Sequence, residues 1–153
     1  MLCRLIADVV WPALLLEGRI LTWWAILTGL VVEYLCLLWI TSLSPIRAIT
    51  ADLVMNAAST LIGIIAIPIA GLLWEIGPGL LVNLLFGTGT FNLVAWIATV
   101  GLAAGLNTYI ERFVLRRYFK QTMGRNATWL LFGANAGSVS LAFGSLAINP
   151  PTA

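Results

Sequence analysis

Residues 21–39 form an almost wholly apolar run, LTWWAILTGLVVEYLCLLW, with one acid, Glu33, close to its middle. A run of this length and composition is long enough to cross a lipid bilayer as a helix. A carboxylate at the centre of such a helix costs about 2.5–3.5 kcal/mol to insert, so it is usually neutralised, partnered or used in function. The sequence therefore predicts a membrane helix whose acid finds polar partners elsewhere in the chain.

The composition of the whole chain also indicates a lipid environment. Hydrophobic residues make up 61% of the 153 residues and charged residues only 9%, whereas a water-exposed domain has about a quarter of its residues charged. A chain of this length has room for about four spans and for no separate soluble domain. We therefore predict an all-α integral membrane protein, a four-transmembrane-helix bundle over residues 20–153 with spans near 20–41, 51–74, 93–115 and 128–148.

Residues 1–19 have a different pattern from the spans. Their apolar residues recur at helical spacing and leave Arg4 and Asp8 on the opposite face, while Pro12 interrupts the helix. The stretch is too short and too interrupted to cross a bilayer. We predict an N-terminal amphipathic helix lying in the membrane interface.

Prolines and glycines mark the expected breaks. Pro45 is predicted to separate the first two spans, with Thr50 or Asp52 capping the second, and Pro68 to bend its last third. Glycine-rich triplets at 77–79 and 87–89 bracket an apolar piece, 80–86. This piece is too short to cross, so we expect it to lie on the surface or to dip partly into the membrane.

The basic residues predict the orientation of the chain. Arg47 follows the first predicted span, and a basic loop after the third contains Arg112, Arg116, Arg117, Lys120 and Arg125. Cytoplasmic loops carry an excess of Lys and Arg, so both connections should face the cytoplasm and both termini the opposite side, in a bacterial plasma (inner) membrane. We interpret the basic loop as this topology signal, with binding of anionic lipid headgroups or of a protein partner as the alternatives.

The two halves of the predicted bundle share a pattern of polar residues. A glutamate in the first helix, an arginine in the loop and Asn-x-x-Ser in the second helix occur twice: Glu33, Arg47, Asn56 and Ser59, then Glu111, Arg125, Asn135 and Ser138. The surrounding residues match poorly. The pattern suggests two tandem helix hairpins, which would share one orientation because an even number of spans separates them.

Small and polar residues follow one face of each predicted span. These faces carry seven candidate site residues: Glu33, Asn56, Ser59, Asn107, Glu111, Asn135 and Ser138. Helix interfaces in lipid take small residues and hydrogen-bonding side chains, and Gly101-x-x-x-Gly105 and Gly133-x-x-x-Gly137 would let helix backbones approach closely. We therefore expect the seven side chains to form a buried polar cluster.

Two interpretations of this cluster remain open. It could bind and release a cation, a proton or a small polar solute, because hard cations take oxygen ligands and a carboxyl group in lipid can keep its proton at neutral pH. Alternatively, Glu33 bonds Asn56 or Ser59, and Glu111 bonds Asn135 or pairs with a nearby arginine, as contacts worth about 0.6 kcal/mol each.

These interpretations lead to two function hypotheses. We predict transport of a cation, a proton or a small polar solute. We also expect a homo-oligomer, because a bundle of only four helices leaves little room for a transport pathway. The alternative is a non-catalytic accessory or scaffold subunit of a larger membrane protein complex, held through its lipid-facing helices and basic loop.

Other functions lack support in the sequence. The chain has no histidine, which removes the commonest metal ligand and general base. Cys3 and Cys36 are far apart and are interpreted as reduced packing residues. There is no CxxC, GxSxG or phosphate-binding glycine loop. We predict no catalytic residues, no metal, no cofactor and no nucleic-acid partner.

Overall fold

The computed structural model describes residues 22–87 and 93–148, without the side chains of 145–148. This part of the chain is helical almost throughout. Its elements are α1 (Trp23–Ile40), α2 (Pro45–Trp74), a π-helical turn (Glu75–Gly79), α3 (Leu80–Phe86), α4 (Leu93–Tyr118) and α5 (Arg125–Ile148). The amphipathic helix predicted for residues 1–19 lies outside the described residues.

Three helices are long and apolar enough to cross a membrane. They are Trp23–Ile40, Pro45–Phe86 taken as one continuous helix, and Leu93–Tyr118. The fourth long helix, Arg125–Ile148, has 24 residues but is not among them. The all-helical class and the four long helices are therefore as predicted, while the fourth span stays a prediction.

The four long helices form a ring in which each one packs against two others. α1 lies between α2 and α5, and α4 lies on the opposite side between the same two helices. Two buried apolar clusters fill the interior. The larger contains Leu37, Leu43, Ala48, Ala51, Met55, Ile110, Val114, Leu115, Met123 and Leu131. The smaller contains Ile67, Ala103, Val139 and Ala142.

The start of α2 differs from the prediction. The helix begins at Pro45 instead of near residue 51, because proline suits the first helical turn, where its missing N–H would be unbonded anyway. Ser44 is the residue that precedes the helix. Thr50 and Asp52 therefore lie inside the helix and are not its caps. The Thr50 hydroxyl instead donates to the Ile46 carbonyl oxygen at 3.0 Å.

The prediction of a basic loop after the third span was also wrong in its boundaries. α4 continues to Tyr118, so three of its five basic residues, Arg112, Arg116 and Arg117, lie on that helix. Arg125 is the first residue of α5. Only Lys120 lies between the two helices, where it has a left-handed backbone conformation with φ 55°.

The bend expected at Pro68 stays a prediction, since α2 continues through this residue, and the glycines of the two GxxxG patterns are not at close helix contacts. α2 contains Pro68, and the non-helical backbone angles come later, at Gly77, before the short helix α3 predicted over 80–86. A Cβ built on Gly101, Gly133 or Gly137 would meet no atom within 4 Å, and one built on Gly105 would meet a carbon of the Phe132 ring at 4.0 Å, an ordinary van der Waals distance. The two GxxxG patterns therefore do not mark close helix contacts within the described part of the chain.

Candidate functional site

Glu33 joins α1 to α2. Its side chain is only 3% exposed, and its Oε2 atom accepts a hydrogen bond of 2.6 Å from the Asn56 amide. The same amide nitrogen donates to the Asp52 carbonyl oxygen at 3.1 Å and to Asp52 Oδ1 at 3.2 Å. Asn56 can reach both because it lies one helical turn after Asp52. One asparagine thus holds two buried acids side by side.

Glu111 joins α4 to α5 in the same manner. Its side chain is 0% exposed, and Oε2 accepts a hydrogen bond of 2.7 Å from the Asn135 amide, which also donates to the Leu131 carbonyl oxygen at 3.2 Å. Glu111 Oε1 is buried and, within the described residues, has no hydrogen-bond partner. Arg112, Arg116 and Arg117 are exposed, so pairing of Glu111 with a nearby arginine is not seen.

The Asn56–Glu33 and Asn135–Glu111 hydrogen bonds occupy equivalent positions in the predicted repeat. In each half, an asparagine on the second helix donates through Nδ2 to Oε2 of a glutamate on the first. This equivalence supports the repeat, which stays a prediction. The halves differ one turn before the asparagine, where Asp52 in the first half corresponds to Leu131 in the second. The first half therefore carries an additional acid.

A cavity of about 500 Å³ brings most of the predicted site together. Six of the seven candidate residues line it: Glu33, Asn56, Ser59, Asn107, Asn135 and Ser138. The seventh, Glu111, does not line the cavity and contacts Asn135 instead. The rest of the lining is apolar or small, apart from Thr60, and comes mainly from α1 and α2. The predicted polar residues thus form one end of an otherwise apolar cavity.

The polar end of the cavity presents acceptors more than donors. The Asn56 and Asn135 amide nitrogens are bonded to carboxyl oxygens, and the Ser59 and Ser138 hydroxyls donate to the backbone carbonyls of Asn56 and Ala134 at 3.2 and 3.1 Å. The remaining atoms, among them Glu33 Oε1 and the Asn56 and Asn135 Oδ1 atoms, accept hydrogen bonds. Asn107 and Thr60 also line the cavity and bring donors of their own, so a bound molecule would supply most of the donors but not all of them.

Asp52 is a residue that the sequence interpretation missed. It is 3% exposed, contacts Asn56, and its charge interacts with that of Glu33. Its spacing from Asn56 was a usable signal, because residues four apart lie on one face of a helix. The sequence instead suggests a helix cap at Asp52, because Pro45 is expected to break the helix rather than to begin it.

The five predicted lipid- or partner-binding residues are not part of this cavity. Arg112, Arg116, Arg117, Lys120 and Arg125 are all exposed and lie near the α4–α5 connection. Arg47, at the start of α2, is exposed as well. Among the described residues, no three His, Cys, Asp or Glu side chains are grouped so that they could hold a metal ion.

No protein-family model, curated protein or solved structure matches this chain. The fold and the site therefore define its class directly. The described part of the chain is all-helical, has three helices of membrane-spanning length and composition, and contains a cavity that the buried carboxyl group of Glu33 lines.

Proposed function

We propose that this chain is an integral membrane transporter of a cation, a proton or a small polar solute. The observation that carries the proposal is the convergence of six polar side chains from four helices on one cavity of about 500 Å³. Sites for small molecules commonly have volumes of about 300–1,000 Å³ and a few polar groups on apolar walls. This volume favours a small organic solute over a bare ion.

Glu33 is the residue proposed to bind the solute. Asn56 holds its Oε2 atom, while Oε1 has no hydrogen bond within the described residues and belongs to a side chain that lines the cavity. A buried carboxyl group with one free oxygen can hold a proton or pair with a cation. Glu111, which is sealed from the cavity, is assigned the structural role that the second interpretation gave to both acids.

The membrane arrangement is part of the same proposal. α5 packs along both α1 and α4. If the other long helices cross the bilayer, α5 therefore crosses it as well. The exposed arginines near the α1–α2 and α4–α5 connections favour a cytoplasmic position for that end of the bundle. Both termini would then lie on the opposite side of a bacterial inner membrane.

A flux measurement tests the proposal. The protein is reconstituted into vesicles that contain a pH reporter, and monovalent cations and small amines are added outside. We expect flux for at least one of them, and a large loss in the Glu33→Gln variant, which removes the charge and keeps the shape. Glu75→Gln is the matched control, because Glu75 is also buried but does not line the cavity. Equal flux through wild type and Glu33→Gln would refute the proposal.

A non-catalytic accessory or scaffold subunit is the second candidate function. It is favoured by the exposed arginines and lysine near the α4–α5 connection, which do not line the cavity and are available to an acidic partner. Purification in mild detergent followed by mass spectrometry tests it. Recovery of the chain without a stoichiometric partner would argue against this function.

A further inference from the structure

We propose that the cavity takes an amphiphile with an ammonium head, which enters sideways from the bilayer between α1 and α2. The inference deepens the proposed function by naming a class of solute and its route. It rests on the position of the cavity in the bundle, on its exposed rim and on the chemistry of its polar end.

Buried apolar side chains lie on both sides of the cavity's polar residues along the bundle. The larger apolar cluster, with Leu37, Met55 and Leu131 fully buried, lies on one side of the polar layer. The smaller cluster, with Ile67 and Val139, lies on the other side. Along the bundle, Glu33 therefore lies between two groups of buried apolar residues.

The rim of the cavity faces outward between α1 and α2. These two helices are the least closely packed of the four neighbouring pairs. Four of the lining residues are large, apolar and exposed, and they come from both helices: Ile26, Leu53, Leu61 and Ile64. In a bilayer such residues contact acyl chains, so the opening between them leads to hydrocarbon and suits an apolar tail.

The polar end selects the head of the amphiphile. The donors of Asn56, Asn135, Ser59 and Ser138 are already bonded within the protein, and the carboxyl oxygen Glu33 Oε1 is a free acceptor beside them. Asn107 adds a neutral amide, which offers both donors and an acceptor, so the charge at this end comes from Glu33. No lysine or arginine lines the cavity. An ammonium group supplies three donors and a positive charge, whereas a carboxylate or phosphate head would meet acceptors and a second negative charge.

Carbodiimide labelling in lipid vesicles tests both the route and the head. Dicyclohexylcarbodiimide is lipophilic and modifies carboxyl groups in apolar surroundings, and a water-soluble carbodiimide serves as the comparison reagent. Peptide mass spectrometry reads the modified residue. We expect the lipophilic reagent to label Glu33 and to leave the sealed Glu111 unmodified, and the water-soluble reagent to label neither. The Glu33→Gln variant identifies the labelled residue.

Protection by alkylammonium ions identifies the ligand class. A ligand at about ten times its Kd leaves about a tenth of the sites free, so octylammonium should slow the labelling of Glu33 about tenfold. Methylammonium at the same concentration should protect much less, because it has no tail to fill the apolar part. No protection by octylammonium, or equally fast labelling by the water-soluble reagent, would overturn the proposal.

Two bulky substitutions form a matched pair for the route. Ala57 is exposed and lines the cavity, so Ala57→Phe should obstruct the opening and slow the labelling. Gly137 is exposed elsewhere on the bundle and a Cβ there meets nothing within 4 Å, so Gly137→Phe adds the same ring without touching the cavity and should label as wild type does. Equal labelling of the two variants would overturn the lateral route.

A cysteine introduced at the rim tests whether another part of the protein, or a second copy of it, covers the opening. In a Cys36→Ala/Ala57→Cys variant, a disulfide between two copies would show that a second copy covers the opening, and a disulfide to Cys3 would show that the N-terminal segment does. Either result overturns the proposal.

Flux measurements separate this inference from the proposed function. Protection of Glu33 by octylammonium without flux would refute transport alone. Flux of amines or protons without protection by octylammonium would refute the amphiphile alone.

Discussion

Glu33 and Glu111 make the same hydrogen bond in different surroundings. Each accepts an amide N–H from an asparagine on the following helix. Glu33 lines a cavity, so its second oxygen is available to a bound molecule, whereas the second oxygen of Glu111 is buried without a partner. An unpaired buried oxygen costs more free energy than one that water or a ligand can reach. Under the proposed function, Glu33 therefore binds the solute, while Glu111 stabilises the packing of α4 against α5.

Removal of the two asparagines should destabilise the protein unequally. Asn135→Leu leaves both oxygens of the fully buried Glu111 unpaired, and we expect a loss of about 1–2 kcal/mol in the free energy of unfolding. Asn56→Leu leaves Glu33, which water in the cavity can reach, and also removes the longer hydrogen bond of 3.2 Å to Asp52 Oδ1, and we expect about 0.5–1 kcal/mol. Unfolding in mixed micelles measures both variants. Equal losses would contradict the difference in surroundings.

At the scale of helices, the stretch after α2 is organised around Gly79. A Cβ on Gly79 would lie 2.9 Å from the Trp74 indole nitrogen and 3.0 Å from the Trp74 carbonyl oxygen. Close contacts of this kind with backbone force the chain to shift. The short helix α3 then ends at Gly87, whose φ of 61° suits a residue without a side chain. The glycine triplets therefore shape this connection, as their positions in the sequence suggested.

Gly79→Ala should destabilise the protein by about 1–3 kcal/mol, because the added methyl group overpacks the contact with Trp74. Gly101→Ala is the control, since a Cβ there meets no atom within 4 Å. The control should be neutral or should raise stability by about 0.5–1 kcal/mol through higher helix propensity. Thermal unfolding in detergent measures both. A Gly79→Ala variant as stable as Gly101→Ala would show that the Trp74 contact relaxes without cost.

At the scale of the whole molecule, a polar layer lies between two apolar clusters in a ring of four helices. The layer contains the two glutamate–asparagine pairs, one in each predicted hairpin. α1 and α4 occupy corresponding positions in the ring, as do α2 and α5. A twofold axis along the bundle would relate such hairpins, which agrees with a repeat whose halves have the same orientation.

The proposed orientation predicts that a cysteine at either end of the bundle is labelled from one side of the membrane only. In a variant without Cys3 and Cys36, Thr122→Cys lies in the α4–α5 connection and Phe86→Cys lies at the end of α3, and both positions are exposed. A membrane-impermeant maleimide should label Thr122→Cys only in inverted vesicles and Phe86→Cys only in right-side-out vesicles. The reverse pattern would overturn the orientation, and labelling of both from one side would overturn the bundle in the membrane.

Helix positions could be predicted well from the sequence because hydropathy is a local property. Helices α1, α4 and α5 start and end within a few residues of the predicted first, third and fourth spans. The errors occurred where a residue type has two uses. Pro45 was expected to break a helix and instead begins one, and Arg112 was expected in a loop although α4 continues past it.

The sequence by itself determined the class of this protein, its long helices and the seven polar residues of its interior, since apolar runs and the small or polar face of each helix are written in consecutive residues. Only the tertiary structure decided how those residues differ. Packing of α2 against α1 brings Asp52 and Asn56 to Glu33 beside an open cavity, and packing of α5 against α4 seals Glu111. These surroundings depend on contacts between residues far apart in the chain, which no local pattern records.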